Sequence, residues 1–384
     1  MKIIINTCRF VVGILFIFSG LIKANDPLGL SYKMQEFFEA WNWHGLEHFT
    51  LALSVIMIGF EILAGVAIIL GWKMNLFSWL LLLLIIFFTF LTAYAYFSGK
   101  IRECGCFGNC IPLTAGESLA KDVLLLLLIL FLFAFRHRIN VFLSYGTNLL
   151  ILFFTVVFSF SIQWYTLHFL PVVDCLPFKI GSSIPENMKP PAGSIPDSTV
   201  ITFVYSKNGK EVEFTASKFP QDFDDTYHFV RRYDKLIRKG NAEAAIKDFT
   251  LVGLSGIDST QEILNERGYV LLLFAMDIPE TNPSWNKELA TIFSILKMKN
   301  MDLRIVTANT NSVQNYLDKN GINDHVQVLT CDVTAIKTAA RVNPTLYLIK
   351  KGTIINKWSS ADFERSLSEI NSLPAKAQES AENH

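Results

Sequence analysis

Cys104-Gly105-Cys106-Phe107-Gly108-Asn109-Cys110 is the stretch on which the reading of this chain turns. Three of the chain's six cysteines fall within these seven residues. They occupy a short polar loop between two apolar runs, residues 91–99 before it and residues 123–135 after it. Thiols at the mouth of a membrane helix pair point to thiol–disulfide chemistry or to metal binding. The flanking sequence must say which, and on which side of a membrane.

Working outward, the 384 residues are 51% hydrophobic and only 18% charged. The apolar residues concentrate in 3–173 and most of the charge lies later. This is an integral membrane half followed by a soluble half. With 34 basic and 34 acidic residues the net charge is zero, which gives no basis for a nucleic-acid partner. The lipid bilayer is the partner the composition does imply.

Five apolar segments are long enough to cross a bilayer, which takes ~20 helical residues. They are 3–22, 49–70, 74–99, 123–135 extended back over 119–122, and 148–169. The first is read as a retained span, because Lys23 closes it and no small-residue cleavage site follows. Between the first two, Leu30, Met34, Phe37, Phe38 and Trp41 recur at helical spacing, with Lys33, Gln35, Glu36 and Glu39 among them. That pattern predicts an amphipathic helix at the interface, with Trp41 and Trp43 at headgroup depth. Lysines and arginines divide five against five between the two sides, so charge bias gives no orientation. Parity does constrain it. The cysteine loop follows three spans and the soluble half follows five, so both lie on one side. Retained thiol pairs fit an oxidising exterior, the periplasm of a bacterial inner-membrane protein.

Charged residues inside spans are costly and often functional. Glu61 has two readings: a protonatable group facing the bundle interior, or a structural carboxyl paired with Lys23 or Lys121. Gly59 and Gly65 beside it would admit a close helix. Lys121-Asp122 is either a proton-exchanging pair for the thiols or an ion pair closing the fourth span.

Cys104, Cys106 and Cys110 allow three pairings within the loop, and Gly105 and Gly108 permit the tight turns these need. An odd number leaves one thiol over. Cys175 emerges from the fifth span on the same side and is its nearest candidate partner. Thiol exchange, a plain structural disulfide and metal binding all remain open, although zinc sites more often use CxxC pairs, which are absent here. The candidate catalytic set is Cys104, Cys106, Cys110, Asp122, Lys121 and Glu61, with Cys175 as a secondary thiol and no assigned metal ligands. The residues specify no cofactor; a quinone is the electron acceptor open to such a protein. Cys8 and Cys331 read as packed thiols.

In the soluble half, the five prolines between residues 177 and 198 predict an extended tether. Residues 199–214 read as a hairpin. After Gly268 the order is strand 269–275, helix 285–299, strand 303–307, helix 312–319, strand 326–329, helix 332–341, then strands 346–349 and 353–358 and a closing helix 362–371. That order is thioredoxin-like, with Asn343-Pro344-Thr345 where that fold carries its cis-proline. The loop where thioredoxins carry CxxC is here Asp277 to Trp285 and contains no cysteine. The domain therefore reads as a binding module for a periplasmic client or redox partner.

Three pieces carry a family resemblance: Phe18-Ser19-Gly20-Leu21-Ile22-Lys23, Phe60-Glu61-Ile62-Leu63-Ala64-Gly65 and Cys104-Gly105-Cys106-Phe107-Gly108. With them the membrane half resembles the DoxX/MauE group of redox-associated membrane proteins. The whole layout is similar to DoxX-family proteins of Bacteroidetes-type bacteria. The resemblance implies an all-α transmembrane bundle, a four-helix core over 1–138 with a fifth helix in 139–175. A linker over 176–198 and an α/β thioredoxin-like soluble domain over 199–384, core 268–372, would follow. MauE is associated with maturing methylamine dehydrogenase, and a fold alone does not transfer that role. The function expected is thiol–disulfide exchange through the CxCx3C loop, with a non-enzymatic assembly or accessory subunit as the alternative.

Overall fold

The computed structural model describes residues 1–99, 101, 105, 108, 110–195, 198–238, 240, 242–278, 284–322 and 324–375. Among the described residues, six α-helices build the first half: α1 (Lys2–Ala24), α2 (Pro27–Ala40), α3 (Thr50–Leu70), α4 (Met74–Ser98), α5 (Ala115–Ala134) and α6 (Tyr145–Phe169). Four of these, α1, α3, α4 and α6, are long and apolar enough to cross a membrane. The remaining expected span is the 20-residue α5, whose Glu117, Lys121 and Asp122 crowd its first half and leave 123–134 uncharged. Helix α2 is the amphipathic segment, opened by Asp26, whose carboxylate accepts from the Gly29 N–H.

The five long helices run up and down. Arg9, near the start of α1, donates to the Ile68 and Ile69 carbonyls at the end of α3 and to Asn140 O beyond α5, at 2.9, 3.0 and 3.1 Å. At the opposite end of α1, the Thr166 hydroxyl of α6 donates to Ala24 O at 3.0 Å. Trp79 near the start of α4 packs on Phe133 near the end of α5, at 4.6 Å between ring centroids. The closest crossing is between α1 and α3. A Cβ added at Gly65 would lie 2.8 Å from Gly13 O, so only glycine fits there. Close approach through small residues is the usual means of helix association in lipid, where apolar burial gives little drive. Gly59 instead faces α6, where an added Cβ would lie 3.3 Å from the Phe160 ring.

The second half begins with the short α7 (Ile184–Asn187), followed by β1 (Ser198–Lys207), β2 (Lys210–Thr215) and β3 (Tyr227–Arg238). The expected hairpin is thus part of a three-stranded antiparallel sheet in the order β2-β1-β3. Tyr205, Phe214, Phe219, Phe223 and Tyr227 stack against one another there, outside the main cores.

The remaining elements are β4 (Val252–Gly253), α8 (Thr260–Leu264), β5 (Tyr269–Ala275), α9 (Asn286–Lys299), β6 (Leu303–Thr307), α10 (Thr310–Asn320), β7 (Val326–Thr330), α11 (Val333–Ala339), β8 (Thr345–Lys350), β9 (Thr353–Ser359) and α12 (Phe363–Ser372). They form one six-stranded sheet in the order β4-β7-β6-β5-β8-β9. β5 pairs parallel with β6 and antiparallel with β8, which is the thioredoxin-like arrangement. β5 is buried on both faces. Leu271, Leu273 and Ala275 enter a core with α9, α10 and α12, while Val270, Leu272 and Phe274 enter a second with α8 and α11. The Asn343–Pro344 bond is cis.

The expected tether is corrected over its first part. Phe178 and Ile184 are buried in the second core, and backbone bonds join Gly181 N to Ile354 O and Ile184 N to Gly352 O, each at 2.8 Å. Prolines rule out regular strand pairing but do not prevent two apolar side chains from docking.

Candidate functional site

Cys110 and Cys175 form a disulfide with their Cα atoms 4.8 Å apart. Cys110 precedes α5, whose entry is fixed by a capping box. The Thr114 hydroxyl accepts from Glu117 N–H, and the Glu117 carboxylate accepts from Thr114 N–H at 2.9 Å. Cys175 follows α6, which stops at Leu170-Pro171. Two groups then hold the segment before it. Asn25, just past α1, donates to Val173 O at 2.7 Å and accepts from Val173 N at 2.9 Å. Asp174 pairs with Lys357 of β9 at 2.5 Å. Lys357 is buried and also donates to Phe178 O at 3.2 Å. Burial pushes its ammonium below the usual lysine range, an effect Asp174 partly opposes. The disulfide is thereby fixed from both halves of the chain.

It borders a cleft of about 630 Å³ between the helix bundle and the soluble domain. Lys23, Asp26, Lys33, Glu36, Gly105, Gly108, Ser118, Cys175, Lys337 and Arg341 are among its walls. One wall is a contact between domains: Arg341 Nε donates to Asp26 Oδ2 at 3.0 Å and Lys337 Nζ to Gln35 Oε1 at 3.3 Å. Both cations also lie over the Tyr32 ring, at 5.0 Å for Lys337 and 5.4 Å for Arg341. Burial raises the Tyr32 hydroxyl above its ordinary pKa.

Because Asp26 also caps α2, Arg341→Ala should loosen both the contact and the helix entry. A hydrogen bond to a charged group contributes about 1.5–3 kcal/mol. Hydrogen exchange at the first amides of α2 should therefore rise about tenfold or more, while the α1–α3 crossing keeps its protection. Equal exchange in the variant and the parent would show that the pair does not hold the domains together.

The other sequence-predicted residues are distributed as follows. Cys104 and Cys106 lie outside the described residues. Glu61 is buried and paired with Lys23, whose ammonium donates to both carboxylate oxygens at 2.8 and 3.0 Å. Lys121 pairs with Asp122 at 2.9 Å. Neither of these two lines the disulfide's cleft, whereas Ser118, one turn earlier, does. Asn25, Asp26, Asp174, Lys337, Arg341 and Lys357 were not anticipated. Of these only Asp174, beside Cys175, had a positional clue.

Cys331 is a buried free thiol with its pKa pushed up to about 11 by burial. The thiolate is the reactive form. Cys331 should therefore stay unlabelled by a maleimide at pH 8 in the folded protein and label fully once unfolded. The sign of the linkage also follows. The unfolded thiol ionises from its ordinary value of 9.0 while the folded one waits until about 11, so this group costs stability as pH rises through that window. Rapid native labelling at pH 8 would contradict the assignment.

In the soluble domain the cis-proline loop is turned toward the bundle. Asn343 accepts from Met276 N at 2.9 Å and donates to Asp277 O at 3.0 Å. A crevice beside it is lined by Ser284, Arg341 and Asn343 on one side and by Leu28, Leu51 and His168 of the helical half on the other.

Residues 1–136 match the family model of methylamine utilisation protein MauE, and residues 199–239 match a domain of unknown function, DUF8463. The comparison with curated proteins found no match. Among solved structures the chain is similar to BsSco, a member of the Sco family of cytochrome c oxidase assembly proteins studied for a disulfide switch. The identity is 14% over 33% of this chain and 91% of that one, with a TM-score of 0.27. It is also similar to a thiol:disulfide interchange protein from Bacteroides sp., at 16% identity over 35% of this chain and 93% of that one, with a TM-score of 0.24.

Proposed function

We propose that this chain, whose residues 1–136 are a MauE family domain, is a multi-pass inner-membrane protein that carries out thiol–disulfide exchange on the periplasmic side. The observation that carries the reading is the Cys110–Cys175 disulfide at the edge of an open cleft, held between a membrane bundle and a thioredoxin-like domain. A disulfide at that end supports an oxidising compartment. With α5 counted as a fifth crossing, the cysteine loop and the soluble domain share that side.

In the step we assign, a client thiolate entering the cleft attacks Cys175, the sulfur-bearing residue among the described ones that line it, and Cys110 leaves as thiolate. A second client thiol then displaces Cys175. The client gains a disulfide, and two electrons and two protons pass to Cys110 and Cys175. Cys104 and Cys106, in the same loop, form the second pair through which those electrons leave. The cis-proline face of the soluble domain, which lacks its own CxxC, positions the client. The test is to mix oxidised protein with a reduced dithiol peptide and follow peptide oxidation. One disulfide formed per protein in the first turnover supports exchange, and a peptide that stays reduced refutes it.

A second reading has one specific observation behind it. The disulfide joins segments 65 residues apart and anchors the start of the soluble domain to the bundle, as a structural staple in an assembly or accessory subunit would.

A further inference from the structure

A second cavity lies behind the wall of the cleft. It is an apolar crevice of about 180 Å³ lined by Phe37, Phe38 and Trp41 of α2, Leu53 and Met57 of α3, and Phe87, Phe88 and Leu91 of α4. Its walls are almost wholly apolar, and two of the three helices that supply them, α3 and α4, are long and apolar enough to cross a membrane. Lys23, Leu30, Lys33 and Gly105 line both cavities, so the two stand back to back across this thin wall. The wall includes the residue between Cys104 and Cys106 in sequence. It also includes Lys23, which pairs with the buried Glu61 and whose ammonium lies 4.7 Å from the centre of the Phe88 ring.

We propose that the crevice binds the head ring of a lipid-soluble quinone, which takes up the electrons that thiol exchange delivers to the cysteine loop. This rests on the exchange reading above. Three features select a quinone over an acyl chain. Aromatic side chains on two sides suit a flat ring. A buried ammonium suits a ring carbonyl, and Lys23 spends two of its three N–H donors on Glu61. The volume is below the ~300–1,000 Å³ of a site enclosing a whole drug-sized ligand, so the ring fits while its tail stays in lipid. The step balances. Two loop thiols lose two electrons and two protons and form one S–S bond, and the quinone's two carbonyl oxygens become the hydroxyls of a quinol. The Lys23–Glu61 pair lies where one of those protons must be delivered.

The test uses the full-length protein in lipid nanodiscs with a short-chain naphthoquinone. Trp41 lines the crevice, so binding should quench fluorescence saturably, and Trp41→Phe should remove most of that saturable component. Filling the crevice with Met57→Trp or, independently, Leu91→Trp should weaken binding tenfold or more, read by retention of a tritiated naphthoquinone. Protein pre-reduced with a chemical dithiol and desalted should convert one quinone to quinol per disulfide formed. Quenching that never saturates, binding indifferent to both filling variants, or equal displacement by a fatty acid would overturn the site. Saturable binding without quinol formation would overturn the acceptor role and leave peptide exchange standing. Quinol formation with an inert peptide would leave the quinone site standing and refute the exchange reading, and with it the client as the source of the electrons.

Discussion

Cys175→Ser should reduce peptide oxidation to the background rate and leave Cys110 open to maleimide in the folded protein. Cys110 and Cys175 are the only described cysteines bonded to each other, and Asp174 and Asn25 hold the second of them in place. Removing Cys175 deletes both the attacked sulfur and the resolving step. The staple also contributes stability. Closing a loop with a separation of 65 residues corresponds to about 4 kcal/mol in the chain-entropy treatment. The two roles therefore have separate readouts. Exchange predicts complete loss of oxidation per folded molecule. A pure staple predicts lower abundance with the surviving molecules unchanged. The oxidation rate normalised to folded protein decides between them, and a normal rate would exclude the exchange role of this cysteine.

Lys23→Met is the second change with a large expected effect. It strands Glu61, a buried carboxylate whose side chain is 3% exposed, without its cation. Breaking a buried pair from one side costs about 3–5 kcal/mol. That corresponds to a fall in melting temperature on the order of 10 °C for the detergent-solubilised protein. Removing both charges in Lys23→Met/Glu61→Leu should recover most of the loss, because the penalty comes from the uncompensated charge and not from the absent attraction. A double variant as unstable as the single would show that the pair supports the α1–α3 contact by more than charge compensation. Gly20, one turn before Lys23, keeps that contact close beside the pair, since a Cβ added there would lie 2.5 Å from Ile62 Cγ1.

Much of this architecture was legible before the structure. Long uncharged runs have few physical outcomes other than spans, and β5, apolar at every position, can only be a strand covered on both faces. The cis-proline site followed from strand order. What escaped were features without periodicity. β3 carries Arg231, Arg232, Asp234 and Lys235 in an exposed strand, so no alternation marks it. The proline-rich stretch hid two buried anchors, Phe178 and Ile184, because its composition reports missing ladder bonds and not missing burial. The site was half visible. Cys175 stood out as a candidate partner for the loop, but spacing cannot choose among ring closures. Lys357 lies far from Asp174 in sequence, and only the folded soluble domain brings them together. The back-to-back cavities are likewise a property of the bundle helices, a loop and the soluble domain brought together.

The most direct test of the account is the redox state of the Cys110–Cys175 pair in native membranes. Membranes would be acid-quenched before and after addition of a reduced dithiol peptide, alkylated, and analysed by peptide mass spectrometry. The account predicts Cys110 linked to Cys175 beforehand and both recovered as alkylated thiols afterwards, with the peptide oxidised in equal amount. A pair that stays fully linked while the peptide stays reduced would contradict it.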